Sequence, residues 1–341
     1  IASAGHDGVI NLWNISTGDL IRKLRTNSSS PVDVLYWSLG GHYLAAGYSN
    51  GQAVIWDMEN TAENAKPVIT IRGDGPPLKG LSLNADSSLL ATGDHAGIAH
   101  IYETANGKEI ARLDADKKFD WLSSGKYSPS DVWLSSTVFS PDGKYLAAGY
   151  GTGLIVIWEW KSGEVWMTLE NHDDIVENVV YNTDGSLLTS AGDDGKVILW
   201  NIDPELRTYT STAFEGHRAL VYDAVFSPDG LLIASGGGDG LVKIWDAATG
   251  KQIMDLYGNE HGIKSVVFSK DGRYVISGSD DHTIRIYTMD RQELYDLAEE
   301  RLTRVLSEIE CEEYLGKGCQ EFKNSDPLKP ISDILHHLFG W

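Results

Sequence analysis

The sequence predicts an all-β fold of seven similar units, on three observations. An aromatic residue closes a short alternating apolar run seven times, at Trp13, Trp56, Tyr102, Trp158, Trp200, Trp245 and Tyr287. The steps between these positions are 43, 46, 56, 42, 45 and 42 residues, close to the ~40–45 of one four-stranded propeller blade. Each unit carries its own turn chemistry, and no helical period intrudes before about residue 290. The architecture these imply is a seven-bladed β-propeller with a short C-terminal helical appendage.

The turns mark the strands within each unit. Ser140-Pro141-Asp142-Gly143 and Ser227-Pro228-Asp229-Gly230 place Pro where φ is fixed early and Gly where positive φ is accepted late. Asn182-Thr183-Asp184-Gly185 and Ser269-Lys270-Asp271-Gly272 are looser versions. A second turn follows in each unit, as at Asp193-Asp194-Gly195 and Gly238-Asp239-Gly240, between runs that read as a hairpin. Ile1-Ala2-Ser3-Ala4 aligns with Ile233-Ala234-Ser235-Gly236, so the first unit begins inside a strand and its innermost strand is expected upstream. Tyr287 is followed by a helical pattern instead of an outermost strand. The expected organisation is therefore a propeller over 1–288 and a helical tail over 289–341, at the C-terminal end of a longer polypeptide.

Composition narrows the function classes. With 341 residues, 42% of them hydrophobic, the chain has ample material for a core. A net charge of −21 repels phosphate backbones and attracts basic partners, which argues against nucleic acid. No apolar run approaches the ~20 residues that cross a bilayer, and no secretory signal pattern follows Ile1. The only two cysteines, Cys311 and Cys319, lie in the tail, and a cytoplasmic setting is expected.

These residues resemble the WD-repeat family. Trp56-Asp57 and Trp245-Asp246 carry its dipeptide, Trp13-Asn14, Trp200-Asn201 and Trp158-Glu159 come close, and Gly216-His217 opens one copy. The resemblance implies a buried hydrogen-bonded tetrad in each blade. Two copies match it in full: His172, Ser190, Asp194 and Trp200, then His217, Ser235, Asp239 and Trp245. Ala46 with Asn50, Thr92 with Ala96, and Ala148 with Thr152 replace the Ser/Asp pair elsewhere, and those blades are expected to rely on apolar packing.

The resemblance also implies a partner platform on one face, to which each blade supplies three positions. Two sit at the start of the innermost strand and one just before the turn Asp. By alignment these are Pro31, Asp33 and Ser49; Pro77, Lys79 and His95; Trp133, Ser135 and Gly151. Ile175, Glu177 and Asp193, then Leu220, Tyr222 and Gly238, then Lys264 and Asp280 continue the ring, with His6 standing for the first blade. Trp133, Ile175, Leu220 and Tyr222 are expected to form an apolar, aromatic sector, with Asp33, Glu177, Asp193 and Asp280 as an acidic surround. WD propellers usually close by letting an N-terminal strand complete the last blade.

The fourth unit is about ten residues longer than the others, and the excess between Asp114 and Trp133 holds Phe119, Trp121, Tyr127 and Trp133. Such aromatics form either a contact surface or a lid packed on the blade edge. From Arg291, Leu294, Leu297, Ala298, Leu302, Val305, Leu306 and Ile309 mark an amphipathic helix. The stretch from Leu302 through Cys319 is similar to tails after WD repeats in large bacterial multidomain signalling proteins, where the propeller senses for an upstream NTPase, kinase or protease. Cys311 and Cys319 stand roughly 12 Å apart along a continuous helix, so a bridge between them requires a break at Gly316 or Gly318; a reduced pair is the alternative.

No constellation points to catalysis, a metal or a cofactor. Gly149-Tyr150-Gly151-Thr152-Gly153 joins two strands, with no helix to receive a phosphate. The pairs Asp173-Asp174, Asp193-Asp194 and Asp280-Asp281 fall in connections where turn chemistry favours Asp. The expected function is a non-enzymatic interaction scaffold or sensing module, binding a protein or peptide that is basic with an apolar anchor. The alternatives are a structural spacer and a ligand-binding or enzymatic propeller.

Overall fold

Alternating apolar residues, cut by Asp-Gly turns, give twenty-six strands among the described residues, arranged in seven antiparallel sheets, a seven-bladed β-propeller. The computed structural model describes residues 1–26, 29–60, 66–71, 75–119, 128 and 131–290. The tail from 291, with Cys311 and Cys319, and the insertion residues Trp121 and Tyr127 lie outside the described residues.

Blade five shows the plan. Its strands run Val176–Tyr181, Leu187–Gly192, Val197–Asp203 and Thr208–Phe214, from the innermost outward. In the first turn, Asp184 Oδ1 accepts the Ser186 amide (2.8 Å), and Gly185 takes φ 78°. The innermost strands of the second to seventh blades are Val32–Trp37, Leu78–Leu83, Leu134–Phe139, Val176–Tyr181, Val221–Phe226 and Ile263–Phe268. Each packs on the blade before it at a position kept small. A Cβ on Gly236 would stand 2.5 Å from Ile263, and one on Gly93 would stand 2.0 Å from Leu134. Among the described residues, the first and last sheets have three strands each. On the last sheet Val267 and Ile286 are 44% and 40% exposed, and Gly278 faces open space.

Blades two to six are pinned internally by three different devices. In blade five, His172 Nδ1 meets both oxygens of Asp194 (3.0 Å), its Nε2 meets Ser190 Oγ (2.7 Å), and Trp200 Nε1 donates to the same hydroxyl (2.8 Å). Blade six repeats this with His217, Asp239, Ser235 and Trp245 at 2.8–3.1 Å. The turn carboxylates also accept backbone amides, from Asp173 and Lys196 or from Arg218 and Leu241, so each network ties two loops to the sheet. In blades two and four, Tyr48 and Tyr150 end the identical strands YLAAGY and are fully buried among apolar residues that include Trp56 and Trp158. Their positions correspond to Gly192 and Gly237, where a Cβ would lie 2.6 or 2.5 Å from the tetrad His, so tyrosine and histidine exclude each other.

Blade three departs from the apolar packing expected for it. Asp94 accepts the amides of Ala96 and Ile98 (2.9 and 3.0 Å), taking the turn role that Ala96 cannot fill. It also pairs with His100 (3.4 Å), whose other ring nitrogen meets Glu109 (2.9 Å). A polar network thus survives there, displaced by two residues. Among the described residues the all-β pattern has one interruption, a helix at Ala115–Phe119 that opens the insertion. Asp114 Oδ1 accepts the Lys117 amide (3.4 Å) as its cap, and Phe119 packs on the neighbouring core. One helical turn is too short to show a period in the sequence.

Removing a tetrad hydroxyl strands two buried partners at once. Ser190→Ala is expected to cost about 1–3 kcal/mol, because His172 Nε2 and Trp200 Nε1 lose their shared partner. Ser277→Ala in blade seven, where the buried hydroxyl has no partner, should leave the urea midpoint nearly unchanged. Equal losses in the two variants would contradict this assignment.

Candidate partner-binding face

The platform positions coincide with a repeated backbone irregularity. In six innermost strands the pairing register skips one residue, at Asp33, Lys79, Ser135, Glu177, Tyr222 and Lys264. Such a bulge leaves the extra residue out of the ladder and re-aims its side chain. A second backbone contact recurs beside it. The amides of Ser49, His95, Gly151, Asp193, Gly238 and Asp280 donate to the carbonyls of Pro31, Pro77, Trp133, Ile175, Leu220 and Gly262 at 2.8–3.3 Å. The hairpin tip of each blade is thereby held against the start of its own innermost strand.

The side chains on this frame fall into separate groups. Asp33 accepts Ser49 Oγ (2.7 Å) and pairs with Lys79 (3.3 Å), so its charge is met locally. His95 stacks on Trp133, with centroids 4.9 Å apart and planes at 22°. Burial, then the nearby Lys79, holds His95 below its ordinary value and favours the neutral ring. The Trp133 ring lies across Gly151, where a Cβ would come within 2.5 Å of the indole nitrogen. Tyr222 lies beside Gly262, and Lys264 Nζ sits 3.4 Å from the centre of its ring, with Asp280 3.5 Å from the same ammonium. Leu220 is partly buried beside Gly238, Ile175 is partly buried beside Gly192, and His6 is exposed.

Two expectations change in detail. The aromatic sector is two stacks, because Trp133 pairs with His95 and Tyr222 with Lys264. Among the described residues no ring contact joins Trp133 to Tyr222. Ser135 turns inward, with its hydroxyl on the carbonyls of Gly149 and Val176. The acidic surround is also uneven. Glu177 and Asp193 approach each other within hydrogen-bonding reach, and burial with this mutual repulsion pushes Glu177 up to about 7. Burial raises Asp193 too, and its Oδ1 is shielded from solvent without a donor.

Beneath the platform runs a polar belt that sequence reading missed. Ser136 Oγ donates to Asn178 Oδ1 (3.0 Å), Asn178 Nδ2 donates to Asp223, and Asp223 Oδ2 accepts Ser265 Oγ (3.0 Å) and the Val266 amide (2.9 Å). Four consecutive innermost strands are joined this way. The available signal was a polar residue just after the platform position in blades four to seven, at Ser136, Asn178, Asp223 and Ser265. Among the described residues no group of three or more His, Cys, Asp or Glu could hold a metal, and no helix is long and apolar enough to cross a membrane. A cavity of 170 Å³ lies between blades two and three, lined by Tyr43, Ile55, Val68, Ile69 and Leu83 among others.

Seven successive sheets, six of them with the same bulge at the start of the innermost strand, define a repeat propeller. The chain belongs to the family described as WD domain, G-beta repeat, whose model matches residues 18–57, 121–159, 163–201, 207–246 and 250–288. It is similar to periodic tryptophan protein 2 homolog of Mus musculus, 24% identical over 58% of the chain and 21% of that protein. It is also similar to actin-interacting protein 1 of Drosophila melanogaster, 26% identical over 53% of the chain and 28% of that protein. WD repeat-containing protein 91 of Gallus gallus is 25% identical over 59% of the chain and 28% of its own length. The chain thus spans less than a third of these relatives.

The belt makes stability depend on pH through Asp223. Its carboxyl is pushed up to about 6 by burial, against the pull of its hydrogen bonds, from 3.8 for the free group. A raised acid contributes stability that is present in full below 3.8 and lost as pH rises through about 6. Relative to Asp223→Asn, the natural protein should therefore gain about 1–3 kcal/mol on going from about pH 7.5 to about pH 4.5. Urea unfolding at the two pH values measures this, and a pH-independent difference would refute it.

Proposed function

We propose that this chain is an interaction module which holds a protein or peptide on the bulged face, and that the partner presents a basic side chain beside an apolar anchor. The observation that carries the reading is the sixfold bulge, by which one backbone device places chemically different side chains at the same point of each blade, Ser135 alone turning inward. Tyr222 and Trp133, each laid against a glycine, are broad amphipathic anchors of the kind that dominate interface energetics. The mutually repelling Glu177/Asp193 pair and the net charge of −21 favour a cationic group.

The name of the actin-interacting relatives describes a protein partner for those proteins, and supports the same class of function here. We further place the chain as the sensing part of a larger cytoplasmic signalling protein with an effector module in the same polypeptide. The support for this is the resemblance of the segment from Leu302 through Cys319.

Panning a random peptide library on the purified protein tests the main reading. Enriched peptides should carry Arg or Lys next to a large apolar residue. Tyr222→Ala and Trp133→Ala should each weaken them by at least about tenfold, as truncating an interface anchor does. Enrichment of acidic peptides, or full binding by the double variant, would overturn it.

A further inference from the structure

We propose that the Tyr222 ring, Glu177 and Asp193 form a seat for one basic side chain of the partner, and that Lys264 occupies this seat in the free protein as a displaceable placeholder. The inference rests on the reading of this face as a partner platform, and it assigns the position that takes the partner's cation.

Three observations carry it. First, a cation already sits on the ring: Lys264 reaches from blade seven across blade six and puts its Nζ 3.4 Å from the centre of Tyr222. An aromatic face takes an ammonium or guanidinium through its quadrupole, and a guanidinium stacks on it better than a lysine does. Second, the placeholder is loosely held. Its side chain is 46% exposed, and its one close carboxylate, Asp280 at 3.5 Å, is itself 54% exposed. Third, Lys264 leaves the seat unfinished. It acts on Glu177 and Asp193 only at a distance, without a close ion pair to either, while Asp193 Oδ1 remains shielded and without a donor. A guanidinium, with five donors in a flat fork, could stack on Tyr222 and reach the two carboxyls together.

Filling the seat has a proton cost that can be read out. Glu177 faces Asp193 from the hairpin tip of its own blade, Lys264 from blade seven and Lys79 from blade three, while Asp174 and Asp194 act on Asp193. With Glu177 pushed up to about 7 by burial and by Asp193, the pair retains a proton near neutrality. An arriving cation favours the doubly ionised pair, so binding releases that proton. Affinity should then rise about tenfold between about pH 6 and about pH 8, the linkage expected for one group titrating near 7.

The test compares two short peptide amides, each with one leucine, that differ only in carrying arginine or its neutral isostere citrulline. Binding is measured by fluorescence anisotropy to the whole chain. Lys264→Met should tighten the arginine peptide by about tenfold, the scale of one ion pair freed from competition, and leave the citrulline peptide unchanged. Glu177→Gln should flatten the pH dependence in the otherwise natural protein. Unchanged or weaker arginine-peptide binding by Lys264→Met, with Tyr222→Ala still abolishing it, would overturn the placeholder while leaving the platform intact. Failure of the natural protein and Lys264→Met alike to prefer arginine over citrulline would overturn both. A matching thermal midpoint for Lys264→Met shows that any change in affinity is not a loss of fold.

Discussion

An innermost propeller strand is pressed between neighbouring blades, so regular alternation would bury its side chains on either face. One extra residue breaks that alternation at the same place in six blades. The bulge is held by backbone alone, through the amide before each hairpin turn and the carbonyl two residues before the bulge. Because no side chain is needed to make it, the bulged position can be Asp, Lys, Ser, Glu or Tyr without disturbing the sheet. The bulged position is thus variable in chemistry and constant in geometry.

The same separation of frame from chemistry appears inside the blades. Each must seal the space between its hairpin tip and its closing aromatic residue, and a His tetrad, a buried tyrosine or a displaced Asp94–His100–Glu109 network can do it. Position 192 or 237 decides between the first two, since only glycine leaves room for the histidine ring. In the third, burial alone would lower His100, yet its hydrogen bonds to Asp94 and Glu109 outweigh it and raise the ring on balance. The protonated ring therefore suits its site, whereas His217 in its tetrad is lowered by burial and kept neutral. Blades with different devices still present the same bulge, so the platform does not depend on which is used.

The sevenfold repeat was legible because it is written in local chemistry: the closing aromatic, the Asp-Gly turns and the strand alternation each act within one unit. The tetrads were legible for the same reason, since all four members recur at fixed offsets. Pairings across blades were not. Nothing in the repeat says that Trp133 stacks on His95 or that Lys264 lies on Tyr222, because those contacts depend on side-chain direction in two units 38 and 42 residues apart. The belt from Ser136 to Ser265 escaped for a related reason, as each polar residue alone reads as an ordinary break in an apolar strand. Ser135 shows the limit of alignment: the frame offers the position, but a hydroxyl short enough to reach two carbonyls turns inward.

These cross-blade contacts change what the net charge means. An excess of 21 negative charges sets up a long-range field that speeds the approach of basic partners but discriminates poorly among them, and salt screens it within about 10 Å. Selectivity must come from charges that stay unmatched at contact distance. Asp33 is answered by Lys79 and Ser49, and Asp280 shares Lys264 at the rim. That leaves Glu177 and Asp193, shielded enough to resist screening and close enough to oppose each other. Their mutual repulsion is eased either by a proton or by a nearby cation. Among the carboxylates at the platform positions, Glu177 and Asp193 are therefore the two without a close ion pair.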